Sequence, residues 1–82
     1  MVKFMNNSED GYTLLAHAIV FEATESYRYA LLALKENTSS VKFRIRKERL
    51  EEFFRSEWYT VLTDADGEYL INHIKKECGY DW

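Results

Sequence analysis

Residues 64–67, Asp-Ala-Asp-Gly, place two carboxylates two positions apart before a glycine, as many calcium-binding loops do. An EF-hand loop needs oxygen ligands at loop positions 1, 3 and 5, a glycine at position 6 and a glutamate at position 12. With Gly67 at position 6, Leu62 falls at position 1 and His73 at position 12, and neither supplies the required carboxylate. The sequence therefore excludes an EF-hand calcium site at this stretch.

The same stretch has the residue types of a helix start. Thr63 or Asp64 is predicted as the N-cap, because short polar side chains accept hydrogen bonds from the free N–H groups of a first helical turn. Asp66 and Glu68 then place negative charge in that turn, where the helix dipole stabilises it. We therefore interpret the stretch as the turn that precedes a final helix.

The two histidines and the single cysteine are the other side chains that could do chemistry. His73 and Cys78 lie five residues apart on one predicted helix, so they point in different directions and do not converge with His17 on a metal. Cys78 lies on an apolar line, which is typical of a small buried hydrophobic residue. No glycine-rich phosphate loop or metalloprotease motif is present. The sequence predicts no enzyme, and no catalytic residue, cofactor or metal.

A basic run is the best indication of nucleic-acid binding, and its members are Lys42, Arg44, Arg46, Lys47 and Arg49. These cations could contact backbone phosphates while Phe43 or Trp58 stacks on a base. Glu48, Glu51 and Glu52 lie within reach and favour the alternative of a solvated helix face with ion pairs. The formal net charge of the chain is −3, which also argues against a general nucleic-acid binder.

Composition bounds the fold and the cellular context. The 82 residues form one small domain, with no proline and three glycines, which favours helices joined by short loops. One cysteine excludes an internal disulfide and fits a reducing compartment. The N-terminus has no apolar run of the kind a signal peptide carries, and no stretch approaches the length of a membrane span. We therefore expect a cytoplasmic protein without membrane contact.

Apolar periodicity predicts a compact all-α bundle, with three main helices over residues 11–36, 40–55 and 65–78 and a short helical turn near 57–62. Ser39 or Ser40 is expected to cap the second helix, Ser56 to start the turn and Gly79 to end the last helix.

An α+β fold is the alternative. Val41, Phe43 and Ile45 alternate with basic residues, which is typical of a strand at 41–46 that could pair with another at 2–5.

The first helix carries two apolar lines. The broad one is expected to face the core and contains Tyr12, Ala16, Ile19, Val20, Ala23, Tyr27, Ala30, Leu31 and Leu34. The narrow one contains Leu14, Phe21 and Leu32 and runs among the charged residues. A second line indicates either burial on two sides of a bundle or contact with a partner. With the terminal Trp82, these three residues form the candidate partner interface.

The segment FFRSEWYTVLTDADGEYLI, residues 53–71, resembles a stretch found in short uncharacterised proteins of prophages and mobile elements in Gram-positive bacteria. Those proteins also begin with a long helix and have a charged, variable middle. The resemblance implies a phage or mobile-element context. It carries no activity, ligand or catalytic residue over to this chain.

These observations predict a non-enzymatic protein that acts as a protein-interaction adaptor or modulator, with self-association included among its interactions. The alternative is a nucleic-acid-binding accessory protein that uses the basic run at residues 42–49.

Overall fold

The computed structural model describes residues 8–80, with side chains from residue 14 onward. This part of the chain is an all-α bundle, as predicted, and contains no strand. Its helices are α1 (Ser8–Glu36), α2 (Val41–Phe54), α3 (Glu57–Leu62) and α4 (Gly67–Cys78). The predicted alternative of a strand at 41–46 is wrong, because these residues form the first turns of α2. The strand proposed at 2–5 lies outside the described residues.

The cap of α2 explains why residues 41–46 are helical in spite of their alternation. The Ser40 hydroxyl accepts a hydrogen bond from the Phe43 N–H at 3.3 Å, which fixes the first turn. Val41 and Ile45 remain exposed, whereas Phe43, Leu50 and Phe54 turn towards the core. The core-facing residues therefore follow a helical period, and the alternation at the start of the segment does not correspond to a buried sheet face.

Caps also set the remaining helix ends. Ser56 accepts from the Tyr59 N–H and begins α3, and Gly79 ends α4 with a φ of 70°, so both of these predictions are confirmed. The prediction that Thr63 or Asp64 caps the last helix is wrong. The Thr63 hydroxyl instead accepts from Ala65 N–H within the loop, and Asp66 is the N-cap, accepting from Glu68 N–H at 3.0 Å.

The broad apolar line of α1 forms the centre of the core, because α2, α3 and α4 all pack against it. Tyr27 and Leu31 of this line are fully buried, Val20 and Ala23 are partly buried, and the side chain of Tyr12 is not described. The shared core is completed from the other helices and the C-terminal segment by Phe54, Tyr59, Leu62, Ile71, Ile74, Cys78 and Tyr80. Four of its rings pack edge to face, with centroids 5.4–5.8 Å apart, and these belong to Tyr27, Phe53, Phe54 and Tyr59.

Gly67, the first residue of α4, is buried directly against the end of α2. A Cβ atom added there would overlap the backbone carbonyl oxygen of Phe54 and would lie 3.4 Å from the Tyr59 ring. Neither group is the free end of a flexible side chain. The missing side chain of Gly67 therefore allows α4 to approach α2 closely enough to complete the core.

We expect Gly67→Ala to lower the free energy of unfolding by about 1–3 kcal/mol or more, because the added methyl group overpacks a rigid backbone contact. Alanine has a higher helix propensity than glycine, so propensity alone would predict that this substitution stabilises the protein. Urea denaturation measures the change. Asn72→Ala, on the exposed face of the same helix, is the matched control and should stay within about 0.5 kcal/mol of wild type. Equal stability of the two variants would contradict the close-contact explanation.

Candidate interaction surface

The narrow apolar line of α1 lies on the surface of the bundle. The exposed fractions of Leu14, Phe21 and Leu32 are 64%, 62% and 46%. Burial on a second side of the described bundle therefore does not account for this line. Three large apolar side chains on one helix face are instead available to another molecule. Trp82, the fourth predicted member of this interface, lies outside the described residues.

Charged residues interrupt this face midway between Phe21 and Leu32. The Arg28 guanidinium contacts the Glu25 carboxylate at 2.6 Å and the Glu77 carboxylate of α4 at 2.7 Å. The Arg28 side chain is about one third exposed and the two glutamates are about half exposed. The hydrogen bond to Glu77 is the main reason that the pKa of Arg28 is raised. The face therefore combines apolar side chains with charges that a partner can reach.

This face is open because α1 is longer than the helices that pack against it and because those helices lie on its opposite side. Its 29 residues span about 43 Å at 1.5 Å per residue, whereas the 14 residues of α2 span about 21 Å. Because the shorter helices pack on the opposite side, they cannot cover the whole circumference of α1. Leu15 is also exposed near the start of α1, which extends the uncovered apolar surface there.

The basic run divides between two faces of α2. Lys47 is partly buried on one face, 3.1 Å from the Glu51 carboxylate, and Arg44 donates a hydrogen bond to the Thr38 carbonyl at 3.3 Å. The other three cations share one face, at the spacing i, i+4 and i+7, and they are Lys42, Arg46 and Arg49. Within the described residues, no carboxylate lies within 4 Å of these three.

Lys42, Arg46 and Arg49 line a shallow groove of about 400 Å³ between α1 and α2, with Ile45 and Leu50 as its apolar part. The Phe43 ring, which was predicted to stack on a base, has Lys42 Nζ at 5.4 Å and Arg46 Cζ at 5.8 Å from its centroid. Of the five cations in the predicted nucleic-acid site, three thus share one face of α2, while Arg44 and Lys47 have partners within the chain.

The histidines and the cysteine do not converge. His73 stacks on Tyr69 with ring centroids 5.9 Å apart, while Cys78 is buried and its thiol faces the Arg28 carbonyl at 3.9 Å. Burial raises the pKa of the Cys78 thiol, which disfavours the reactive thiolate. Among the residues that the structure describes, no three His, Cys, Asp or Glu side chains are arranged to hold a metal ion.

The acidic turn forms an open pocket of about 490 Å³ between α2, α3 and the start of α4. Arg55 crosses this region and contacts Glu68 at 2.6 Å, and the Asp66 side chain caps α4. Of the two carboxylates that suggested calcium in the sequence, Asp66 thus caps α4, while the neighbouring Glu68 joins the start of α4 to the end of α2 through Arg55.

A buried polar cluster around Glu51 was not identified from the sequence. The Tyr27 hydroxyl donates a hydrogen bond to the Glu51 carboxylate at 2.6 Å, and Lys47 and Lys75 lie 3.1 and 3.8 Å from the same oxygen. Burial by itself would raise the pKa of Glu51, but the hydrogen bonds from Tyr27 and Lys47 and the lysine charges lower it overall. Burial and the bond to Glu51 raise the pKa of Tyr27. Glu51 therefore joins α1, α2 and α4 as an ionised, satisfied group.

No helix in the described part of the chain combines the length and apolar character needed to cross a membrane. Searches of protein-family models, curated proteins and solved structures find no match to this chain. The resemblance of residues 53–71 to prophage proteins thus stays a prediction, and the function has to be argued from the surface itself.

We expect Tyr27→Phe to lower the free energy of unfolding by about 1–3 kcal/mol, because Glu51 loses its shortest hydrogen bond while staying buried. Ring packing against Phe54 is preserved in this variant, so the loss reports the hydroxyl alone. Urea denaturation measures it, with Tyr29→Phe as the exposed control. A neutral Tyr27→Phe would show that the lysines alone satisfy the carboxylate.

Stability should also depend on pH through Glu51. Its pKa is lower in the folded chain than the value of about 4.3 expected when unfolded, so its contribution is fully present above that value. As the pH falls from about 5, the unfolded chain binds the proton first, and the contribution is lost through the folded pKa. Denaturation at several pH values should show that the free energy of unfolding falls less on acidification for Glu51→Gln than for wild type. Glu52→Gln, its exposed neighbour, should keep the wild-type profile.

Proposed function

We propose that this protein is a non-enzymatic adaptor or modulator that binds another protein through the outer face of α1. The observation that carries the proposal is the exposure of Leu14, Phe21 and Leu32 on a helix whose opposite face already holds the core. Large apolar side chains aligned on a helix are the anchors used in helix-mediated protein recognition.

The energetics of this face suit binding. Fully burying an exposed Phe or Leu side chain contributes about 1.5–3 kcal/mol. Leu14, Phe21 and Leu32 are already partly buried, so each would contribute part of that value, against the cost of association. Glu25 and Arg28 lie between the anchors, and charges at that position select partners with complementary charges.

The cellular setting forms part of the same proposal. The single cysteine is buried and free, which fits a cytoplasmic protein. The resemblance of residues 53–71 supports a phage or mobile-element protein whose partner belongs to the bacterial host or to the element itself.

Nucleic-acid binding through α2 is the second candidate function. It is favoured by the alignment of Lys42, Arg46 and Arg49 on one face, with no carboxylate of the described residues within 4 Å of them. Such cations can contact successive phosphates. The net charge of −3 would repel nucleic acid from the rest of the surface, which makes this the weaker candidate.

The protein-binding proposal predicts that Phe21→Ser combined with Leu32→Ser abolishes partner capture while leaving helicity unchanged, because both side chains are exposed. Tagged protein would be incubated with nuclease-treated bacterial lysate, and the bound proteins compared by mass spectrometry. Val61→Ser, an exposed apolar residue of α3, is the control and should retain the partner. Loss of helicity in the double variant would show instead that the line supports the fold.

The nucleic-acid candidate predicts binding that weakens as salt rises, with a slope of about −0.7 per neutralised phosphate on single strands. Replacing Lys42, Arg46 and Arg49 with glutamine should flatten that slope by about two. Fluorescence anisotropy with a labelled oligonucleotide measures both quantities. Arg44→Gln, on the other face of α2, is the control and should leave the slope nearly unchanged. Binding that ignores both salt and these charges would exclude this function.

A further inference from the structure

The outer face of α1 has a heptad-like repeat that includes the residues between its three large apolar side chains. The positions that share this face follow a spacing of four, three, four, three and four residues, and they are Leu14, Ala18, Phe21, Glu25, Arg28 and Leu32. Alternating steps of three and four generate the seam of a two-stranded coiled coil. Ala18 is small enough to permit close helix approach, and the Glu25–Arg28 pair lies between the apolar positions of the seam.

We propose that a second copy of this chain covers this seam, with the two α1 helices antiparallel and a two-fold axis between Ser26 and Tyr27. The proposal rests on the protein-binding function above and names its partner. In such a pairing, residues equally distant from the axis face each other across the interface. Glu25 then faces Arg28 of the second copy, and Arg28 faces its Glu25. On either side, Phe21 faces Leu32 of the second copy.

Charge selects this arrangement over the alternatives. A parallel pairing in register would place each Glu25 and each Arg28 against its own copy, which juxtaposes like charges. An antiparallel pairing that sets Leu14 opposite Leu32 would place Phe21 opposite Glu25 and would bury the carboxylate against a ring. Of these arrangements, only the axis between residues 26 and 27 forms the ion pairs and also sets Phe21 against Leu32. Leu14 then lies opposite residue 39, beyond the end of α1.

The existing contacts of Arg28 are compatible with this pairing. A guanidinium has five N–H donors in a planar fork, so Arg28 can keep its bonds to Glu25 and Glu77 of its own chain and also donate to the Glu25 carboxylate of the second copy. The partial exposure of Arg28 and Glu25 leaves both groups accessible from the outside. No rearrangement of the core is required, because none of the seam residues belongs to it.

The seam is short, and this limits the expected affinity of the dimer. A stable interface buries about 800 Å² on each partner, and a seam centred on two apolar pairs provides less than that. We therefore expect a reversible dimer whose population depends on protein concentration.

Charge reversal tests the pairing directly. Glu25→Arg gives a seam with two cations and Arg28→Glu gives one with two anions, so each variant alone should lose at least tenfold in dimerisation constant. An equimolar mixture restores both cross-pairs and should dimerise within a few-fold of wild type. Analytical ultracentrifugation measures association, and circular dichroism confirms that each variant is folded. Because an effect within one chain cannot be repaired by mixing, a monomeric mixture beside a dimeric wild type would overturn the pairing.

Disulfide trapping provides a test that does not depend on the charge variants. Phe21→Cys mixed with Leu32→Cys should give a cross-linked heterodimer under mild oxidation, whereas Leu14→Cys mixed with Leu32→Cys should not. Equal cross-linking in both mixtures would overturn the proposed register. A wild type that stays monomeric up to millimolar concentration would overturn self-association. If Phe21→Ser with Leu32→Ser then still abolished capture of a different protein, the protein-binding function would stand without it.

Discussion

The fold depends on one helix that forms the core with one side only. Helices shorter than about 12–15 residues are marginal in water, and α2, α3 and α4 have 14, 6 and 12 residues. Each is therefore stabilised by packing against the 29-residue α1, through Tyr27, Leu31 and their neighbours on the broad line. Three short helices on one side of a long one cannot enclose it. The exposed face of α1 is thus a geometric consequence of how this small chain builds its core.

Two close contacts make this asymmetric arrangement specific. The Gly67 backbone against the Phe54 carbonyl fixes where α4 begins, and the Glu51 carboxylate bonded to Tyr27 fixes how α2 lies on α1. An unpaired charge in the interior is costly, so the helices must be placed where hydrogen-bond donors reach the buried carboxylate. The hydrophobic effect is non-directional, so these two contacts add constraints on helix position that burial of apolar surface does not supply.

Much of the fold could be predicted from the sequence, because helical period and cap residues are local properties. Ser40, Ser56 and Gly79 follow from them, and so do the ends of α2 to within one residue, whereas α1 begins three residues before its predicted start and α4 two residues after it. The burial of Glu51 could not be predicted, since its spacing from Lys47 is equally typical of a surface ion pair. Whether Leu14, Phe21 and Leu32 are buried or exposed likewise depends on where α4 packs, which no local pattern specifies.

The same separation of faces decides how function and stability are related. Core residues such as Tyr27 and Phe54 make no part of the outer seam, and the apolar seam residues such as Phe21 make no part of the core. Substitution of these apolar seam residues is therefore expected to leave the core packing intact, whereas Arg28 also contacts α4 through Glu77. A partner that bound the proposed seam of the folded chain only would nevertheless stabilise the fold, because its binding free energy would add to the free energy of unfolding. Since α1 organises every other helix, a partner that orders its exposed face stabilises the whole bundle at once. In a domain this small, occupation of that one surface would therefore change the stability of all the described helices together.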